Sequence, residues 1–271
     1  MASGKSSPGG VADAASVRPG KHRAEPGSGL PAGLFTTAAL KFASHHGGAQ
    51  HDAGAIAILQ AGCATAAGDL DLAALRASLP PMKLTLLDDD NDITRAAVAG
   101  RAELRQAVLG DLRVAALLPR SADIVHCCLL LDRISHSEIV LGRLVEALRP
   151  GGLLLLRTAD RETAAGFLDR ALPRPIRARA WRSLRPGEPG PYPAVYESLS
   201  SPRGIASFAT RHGLVISRRE ACSRLDGAQR RPVIRAARWL VATATRGRLT
   251  AAHDELRYII RKPEDRFARV L

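Results

Sequence analysis

The sequence predicts an α/β domain of the doubly wound class, built on seven strands. Three observations carry that expectation. From Ala55 onward, short apolar runs alternate with segments of helical spacing. Most of these runs stop at glycine, proline or aspartate, as buried strands do. With 271 residues, 46% of them hydrophobic, the chain can build one sizeable core plus an appendage. In order, residues 55–59 (AIAIL) read as a buried strand that stops at Gln60-Ala61-Gly62. Residues 69–78 carry Leu70, Ala73, Ala74 and Ala77 at helical spacing, and Pro80-Pro81 end that helix. Residues 83–87 are a second strand, cut off by Asp88-Asp89-Asp90. A helix over 93–104 leads to a third strand at 106–109, which ends at Gly110-Asp111. Residues 122–130 are a strongly apolar fourth strand. A helix over 138–148 is stopped by Pro150-Gly151-Gly152, and a fifth strand follows at 153–156. Short apolar strands separated by helices predict a parallel sheet covered on both faces. Beyond it, helices are expected at 162–171, 202–212 and 232–245, and strands at 213–218 and 256–260. The proline-rich residues 173–193 read as a long irregular loop.

The flanks are simpler. Residues 1–52 are rich in Ala, Gly, Ser and Pro and read as a flexible tail, with a short helix possible near 34–44. The domain proper is expected over 53–265, with a Pro/Arg-rich segment at 173–203 and a helical insertion near 230–250. No run of 18 uncharged apolar residues is present, so no transmembrane helix is expected, and the first 20 residues lack the apolar stretch of a secretory signal. Four cysteines, two of them adjacent, suit reduced thiols in a cytoplasmic protein better than a disulfide framework. His45, His46 and His51 lack the partners of a metal site, and no metal is expected.

The net charge of +13 is uneven. Residues 1–172 hold 18 basic and 18 acidic side chains, whereas residues 173–271 hold 21 and 8. A basic last third favours an anionic partner or surface. Aromatics are only 4% of the chain, which argues against a single-strand nucleic-acid binder built on stacking.

In a doubly wound sheet, ligands bind outside the carboxyl ends of the strands. After strand one comes Gly62-Cys63-Ala64-Thr65-Ala66-Ala67-Gly68, small residues that let a ligand approach the backbone. After strand two come three aspartates, and a carboxylate there can accept both hydroxyls of a ribose. After strand three comes Asp111, placed to read an adenine amino group. Strand four reaches Cys127-Cys128 at the same edge. Together these describe a nucleoside site.

The segments AIAILQAGCATAAG, LTLLDDDNDI, AVLGDL, SADIVHCCLLLDRIS and LRPGGLLLL, in this order, resemble the class I S-adenosylmethionine-dependent methyltransferases. The similarity continues through PYPAVYESLSSPRGIASFATRHGLVISRRE and DELRYIIRKP, and covers roughly residues 53–265. It implies a Rossmann-like, mostly parallel seven-stranded sheet with an antiparallel last strand, and S-adenosyl-L-methionine as cofactor. Carried over by residue, Gln60 would face the methionine amino group, and Gly62, Cys63 and Ala64 would line the methionine end. Asp88 would hold the ribose, with Asp89 as the alternative. Asp111 and Leu112 would flank the adenine, and Cys128 would lie under the methyl group. Asp132, His136 and Tyr192 are the candidate catalytic residues, as proton acceptors or caps on the acceptor.

The first motif departs from the family. Gln60 stands where an acid is usual, and Ala64 and Ala66 stand where glycines are. A neutral partner at Gln60 weakens a cofactor contact by about tenfold. The alanines are tolerated only if their backbones need no positive φ. The leading expectation is methyl transfer to a small-molecule acceptor, with an anionic one favoured by charge. The alternative is a catalytically inactive relative serving as a binding or scaffold subunit. A nicotinamide dehydrogenase is disfavoured because Gly62–Ala67 breaks the G-x-G-x-x-G fingerprint. The insertion near 230–250 is a lid, a homodimer contact or a membrane-surface helix, in that order of expectation.

Overall fold

The computed structural model describes residues 33–46, 55–66, 70–78, 81–184, 189–223 and 232–264. All belong to one compact unit, Ala32–Leu271. Its centre is a seven-stranded sheet in the order β3-β2-β1-β4-β5-β7-β6. The strands are β1 (Ile56–Ala61), β2 (Met82–Asp89), β3 (Val108–Gly110), β4 (Ala122–Cys128), β5 (Leu148–Ala159), β6 (Val215–Cys222) and β7 (Glu255–Arg261). The first five pair in parallel, and β7 runs antiparallel between β5 and β6. All seven strands expected from the sequence are present, and the late antiparallel strand is as the resemblance implies.

Alternation along the central strands divides the core between the two faces. Leu59 and Ala61 of β1, Val125 and Cys127 of β4, and Leu154 and Leu156 of β5 face one way. Helices α4 (Ser137–Ala147) and α7 (Pro202–Arg211) cover them with Val140, Leu141, Leu144, Ile205 and Phe208. Ile56, Ile58, Ile124, Leu153 and Leu155 face the other way, under α1 (Leu34–His46) and α2 (Leu72–Ser78). Side-chain caps start three helices. Asn91 caps α3 (Asp92–Ala99), Thr163 caps α5 (Ala164–Ala171) and Ser201 caps α7, where Pro202 takes the first turn.

The structure extends one expectation and corrects another. Helix α1 forms where a short helix was expected, and it joins the domain core instead of standing in a tail. Phe35, Ala39, Phe42 and Ala43 recur at helical spacing and are buried on the sheet, so this part has a core to join. The rest of that segment, 1–32 and 47–52, lies outside the described residues. The expected irregular loop holds helix α6 (Arg174–Leu184). Its prolines, Pro173 and Pro175, sit at the helix start, where N–H groups have no partner in any case. Two boundaries also move. The helix expected at 93–104 is α3 followed by a 3-10 turn at Ala102–Leu104, and β5 extends back through Leu148. The helical insertion near 230–250 contains α8 (Pro232–Ala244).

Candidate functional site

The chain order reverses between β1 and β4, so the crevice at their carboxyl ends is where a ligand belongs in this topology. Gly62 makes the turn out of β1 with φ +74. A Cβ there would overlap the Cys128 carbonyl oxygen, so glycine is required by both conformation and space. A 3-10 turn, Cys63–Thr65, follows. Ala64 and Ala66 are not among the positive-φ residues, so these departures from the family pattern cost no backbone strain. Thr65 Oγ1 donates to the Gly62 carbonyl at 3.0 Å and to the Cys128 carbonyl at 2.8 Å, tying β1 to β4.

Asp88 ends β2 and is fully buried. Its Oδ2 accepts from Ala64 N at 2.8 Å, and its Oδ1 accepts from Asp89 N at 2.9 Å and from Arg133. Asp88 is therefore the internal tie between β2 and the turn after β1, and its oxygens are engaged. Asp89 is the more open acid, with side-chain exposure of 20%. Its Oδ1 lies 3.0 Å from Arg133 Nη2, and its Oδ2 accepts from Asn91. Of the two aspartates, Asp89 has the more accessible carboxylate.

Arg133 was not singled out from the sequence. It follows β4 by a few residues, and its side chain is 1% exposed. The guanidinium pairs with both Asp88 and Asp89 and lies 4.4 Å from the Tyr192 ring centroid. Its Nε and Nη1 are buried without a hydrogen bond, as is the Tyr192 hydroxyl. Such buried donors cost about 1–3 kcal/mol each if left so, and they mark a place suited to an acceptor-rich group. The only sequence signal was an Asp-Arg pair directly after the apolar run Leu129-Leu130-Leu131.

The remaining expected residues fall as follows. Gln60 faces α1 instead of the crevice. It pairs in register with His126, its Nε2 is 3.0 Å from His126 Nδ1, and the His126 ring packs edge-on against Phe35. Alternation along β1 sets Gln60 on the same face as Ile56 and Ile58, where His126 engages its side chain. Cys63 is buried, with its thiol pushed up to about 12 by burial and by Asp88. Cys128 is buried beside Ala66 and Leu129, and its Sγ lies 3.7 Å from the Thr65 carbonyl. Asp111 follows β3, but its carboxylate is taken by Arg113 through Nε at 2.9 Å and Nη2 at 2.7 Å. Those bonds hold it down at about 2. Leu112 is buried in the larger core cluster.

A cover lies over the end of β4. The Asp132 carbonyl accepts from Val195 N and Tyr196 N, both at 3.0 Å, and anchors the segment that carries Tyr192. Arg177 of α6 donates to the Tyr192 carbonyl at 2.7 Å and to Asp169 at 2.9 Å, and Trp181 meets the Tyr192 ring edge-on at 6.1 Å. Burial raises the Tyr192 hydroxyl above its ordinary range, so at neutral pH it is a donor and not a base. His136 begins α4 with φ +57 and an exposed ring. Its N–H and that of Ser137 are capped by Glu197 at 2.7 and 2.9 Å. Asp132, Tyr192, Arg133 and Asp89 thus gather at one crevice, whereas His136 sits at its outer rim.

The buried pair carries a pH signature. Burial raises Asp88 from 3.8 to about 6, against the opposing pull of Arg133 and the Ala64 N–H. A carboxyl raised on folding binds more protons in the folded state than in the unfolded one between those values. Its contribution to stability is therefore complete below about pH 4 and is lost as the pH rises through 6. A carboxyl-carbon NMR titration is expected to place the Asp88 midpoint near 6, and a midpoint below 4 would contradict this assignment.

No family model and no curated protein matches the chain. Solved structures do. An S-adenosylmethionine-dependent methyltransferase from Mesorhizobium loti is 17% identical over 83% of this chain and 96% of that one, with a TM-score of 0.45. Phosphoethanolamine N-methyltransferase 2 of Haemonchus contortus, solved with S-adenosyl-L-methionine, is 15% identical over 84% of this chain, with a TM-score of 0.45. The match spans 53% of that enzyme's length. The cyclase SpnF is 14% identical over 78% of this chain and 75% of its own, with a TM-score of 0.44. The strand order β3-β2-β1-β4-β5-β7-β6, parallel except for β7, is that of a doubly wound, Rossmann-like sheet.

Proposed function

We propose that the protein is an S-adenosylmethionine-dependent methyltransferase acting on a small, anionic acceptor. The observation that carries this reading is the cluster of buried polar groups at the β1–β4 switch point. Asp89 supplies acceptor oxygens next to the Gly62 turn, and Arg133 holds Nε and Nη1 without hydrogen bonds. That donor and acceptor set suits a ribose diol and a carboxylate, two polar groups that the cofactor carries on either side of its sulfonium, so the residues fit it. When bound, the cofactor supplies a methyl group already activated on a sulfonium. The protein's part is then binding, orientation and proton handling. Asp89 would accept from the ribose hydroxyls, and the unbonded Nε and Nη1 of Arg133 would hold the methionine carboxylate. Tyr192 donates to an acceptor oxygen, and Asp132 accepts the proton that the acceptor loses. His136 lies too near the rim for that role. The basic character of residues 173–271 supports an anionic acceptor. Four free thiols support a reducing, cytoplasmic setting.

A second reading is a non-catalytic scaffold member of the fold. Specific contacts favour it: Gln60 is engaged by His126, and Asp88 by three donors of the chain itself. Transfer of labelled methyl groups to a panel of carboxylate- and phosphate-bearing acceptors separates the two. The enzyme reading expects turnover that falls by about a hundredfold or more in Asp132→Asn, in line with loss of a general base. Absence of turnover across the panel, with cofactor binding intact, would favour the scaffold.

A further inference from the structure

Helix α8 is inverted relative to an ordinary surface helix. Its buried residue is Arg238, 4% exposed, whose Nη2 donates to the His253 carbonyl at 3.0 Å. Its Nη1 lies 3.7 Å from Asp254 Oδ2. Ile234 and Val241 are half-buried beside Arg238, whereas three large apolar side chains point outward: Val233 is 77% exposed, Trp239 65% and Leu240 63%. At 100° per residue, Val233, Ala236, Ala237, Leu240 and Ala244 form one stripe, with Trp239 about 60° to one side of it and Arg235 about 40° beyond Trp239. Ala236, Ala237, Ala244 and Arg235 are exposed as well. Buried ion pairing has fixed the arginine inside and left the hydrophobic face unpartnered among the described residues.

Charge decides what covers that face. Residues 227–253 contain six arginines and no aspartate or glutamate. Arg246 and Arg248, just past the helix, are exposed. A second copy of the chain would set Arg235 against like charge with no acid in the segment to neutralise it. An anionic bilayer surface offers hydrocarbon for the stripe and phosphate for the arginines. The 13-residue helix spans roughly 20 Å at 1.5 Å per residue, too short to cross a bilayer, so it suits a position in the interfacial plane. Tryptophan at the stripe's edge is the side chain favoured at that depth.

We propose that α8 docks the protein on anionic phospholipid, with Val233, Trp239 and Leu240 inserted and Arg235, Arg246 and Arg248 over the headgroups. The proposal is independent of the catalytic reading. The chain has two tryptophans, so Trp181→Phe leaves Trp239 as the only reporter. Cosedimentation with phosphatidylglycerol-containing vesicles is expected, with a blue-shifted Trp239 emission and weaker partition at high salt or onto pure phosphatidylcholine. Trp239→Ser with Leu240→Ser should lower partition by at least about tenfold, because both side chains lose their burial in the interface. Arg235→Glu should lower it while the apolar face stays intact. An unchanged melting curve shows that these outward substitutions leave the fold in place. The proposal is overturned if the wild-type protein stays in the supernatant, or if the double variant partitions equally. It is also overturned if light scattering shows a dimer that the double variant dissociates, since a second copy would then own the face.

Discussion

Replacing Arg133 by methionine is expected to destabilise the protein by about 3–5 kcal/mol, the usual cost of stripping one partner from a buried ion pair. For a domain of this size that is a melting-point loss on the order of 10 °C. The physical cause is the carboxylate left behind. Asp88 is fully buried, and Arg133 is the only cation that pairs with it among the described residues. The same variant should suffer less at pH 5 than at pH 8, because Asp88 rises to about 6 even with its partner and takes up a proton more readily without it. Adding Asp88→Asn should restore part of the loss. Chemical denaturation at the two pH values checks all three statements. A loss below about 1 kcal/mol, independent of pH, would mean that the pair is solvated.

The second large effect lies at the turn after β1. Gly62→Ala is expected to cost about 3 kcal/mol or more, through two causes that can be separated. Positive φ costs a non-glycine residue roughly 1–2 kcal/mol. Overlap of the new Cβ with the Cys128 carbonyl adds an overpacking penalty of about 1–3 kcal/mol. Gly213 isolates the first cause, for its φ is +62 and a Cβ there would meet nothing within 4 Å. Gly213→Ala should therefore cost only about 1 kcal/mol. Equal losses for the two variants would show that β1 and β4 part easily at the crevice.

The sheet was legible because its strands are short, apolar and bounded, and because burial on both faces makes them so. The position of the crevice followed from that topology. What the sequence concealed was which side chains fill it. The alternation Ile56, Ile58, Gln60 already placed Gln60 on one face, but nothing in the sequence tied the short helix expected near 34–44 to that face. Arg133 was hidden for another reason. Its partners come from β2, 45 residues earlier, and from Tyr192, far later in the chain. Only the folded arrangement brings a lone arginine against two aspartates. Asp88 and Asp89 both stand at the carboxyl end of β2, but the Asp88 oxygens serve the Ala64 turn and Arg133, so under the proposed reading Asp89 is the acid for a ligand. The sequence did not reveal that Arg113, two residues on, pairs with the Asp111 carboxylate. Helix α6 was missed because prolines at a helix start and prolines in a loop read alike until the first turn is seen.

The central claim is that this crevice binds S-adenosylmethionine through Asp89 and Arg133. Calorimetric titration of the full chain with S-adenosylmethionine and S-adenosylhomocysteine tests it most directly, run beside Asp89→Ala, which leaves the buried Asp88 tie intact. The account predicts micromolar affinity for the wild-type protein and at least about a tenfold loss in the variant, the worth of a charge-assisted hydrogen bond. A folded protein that binds neither ligand up to millimolar concentration would contradict the claim.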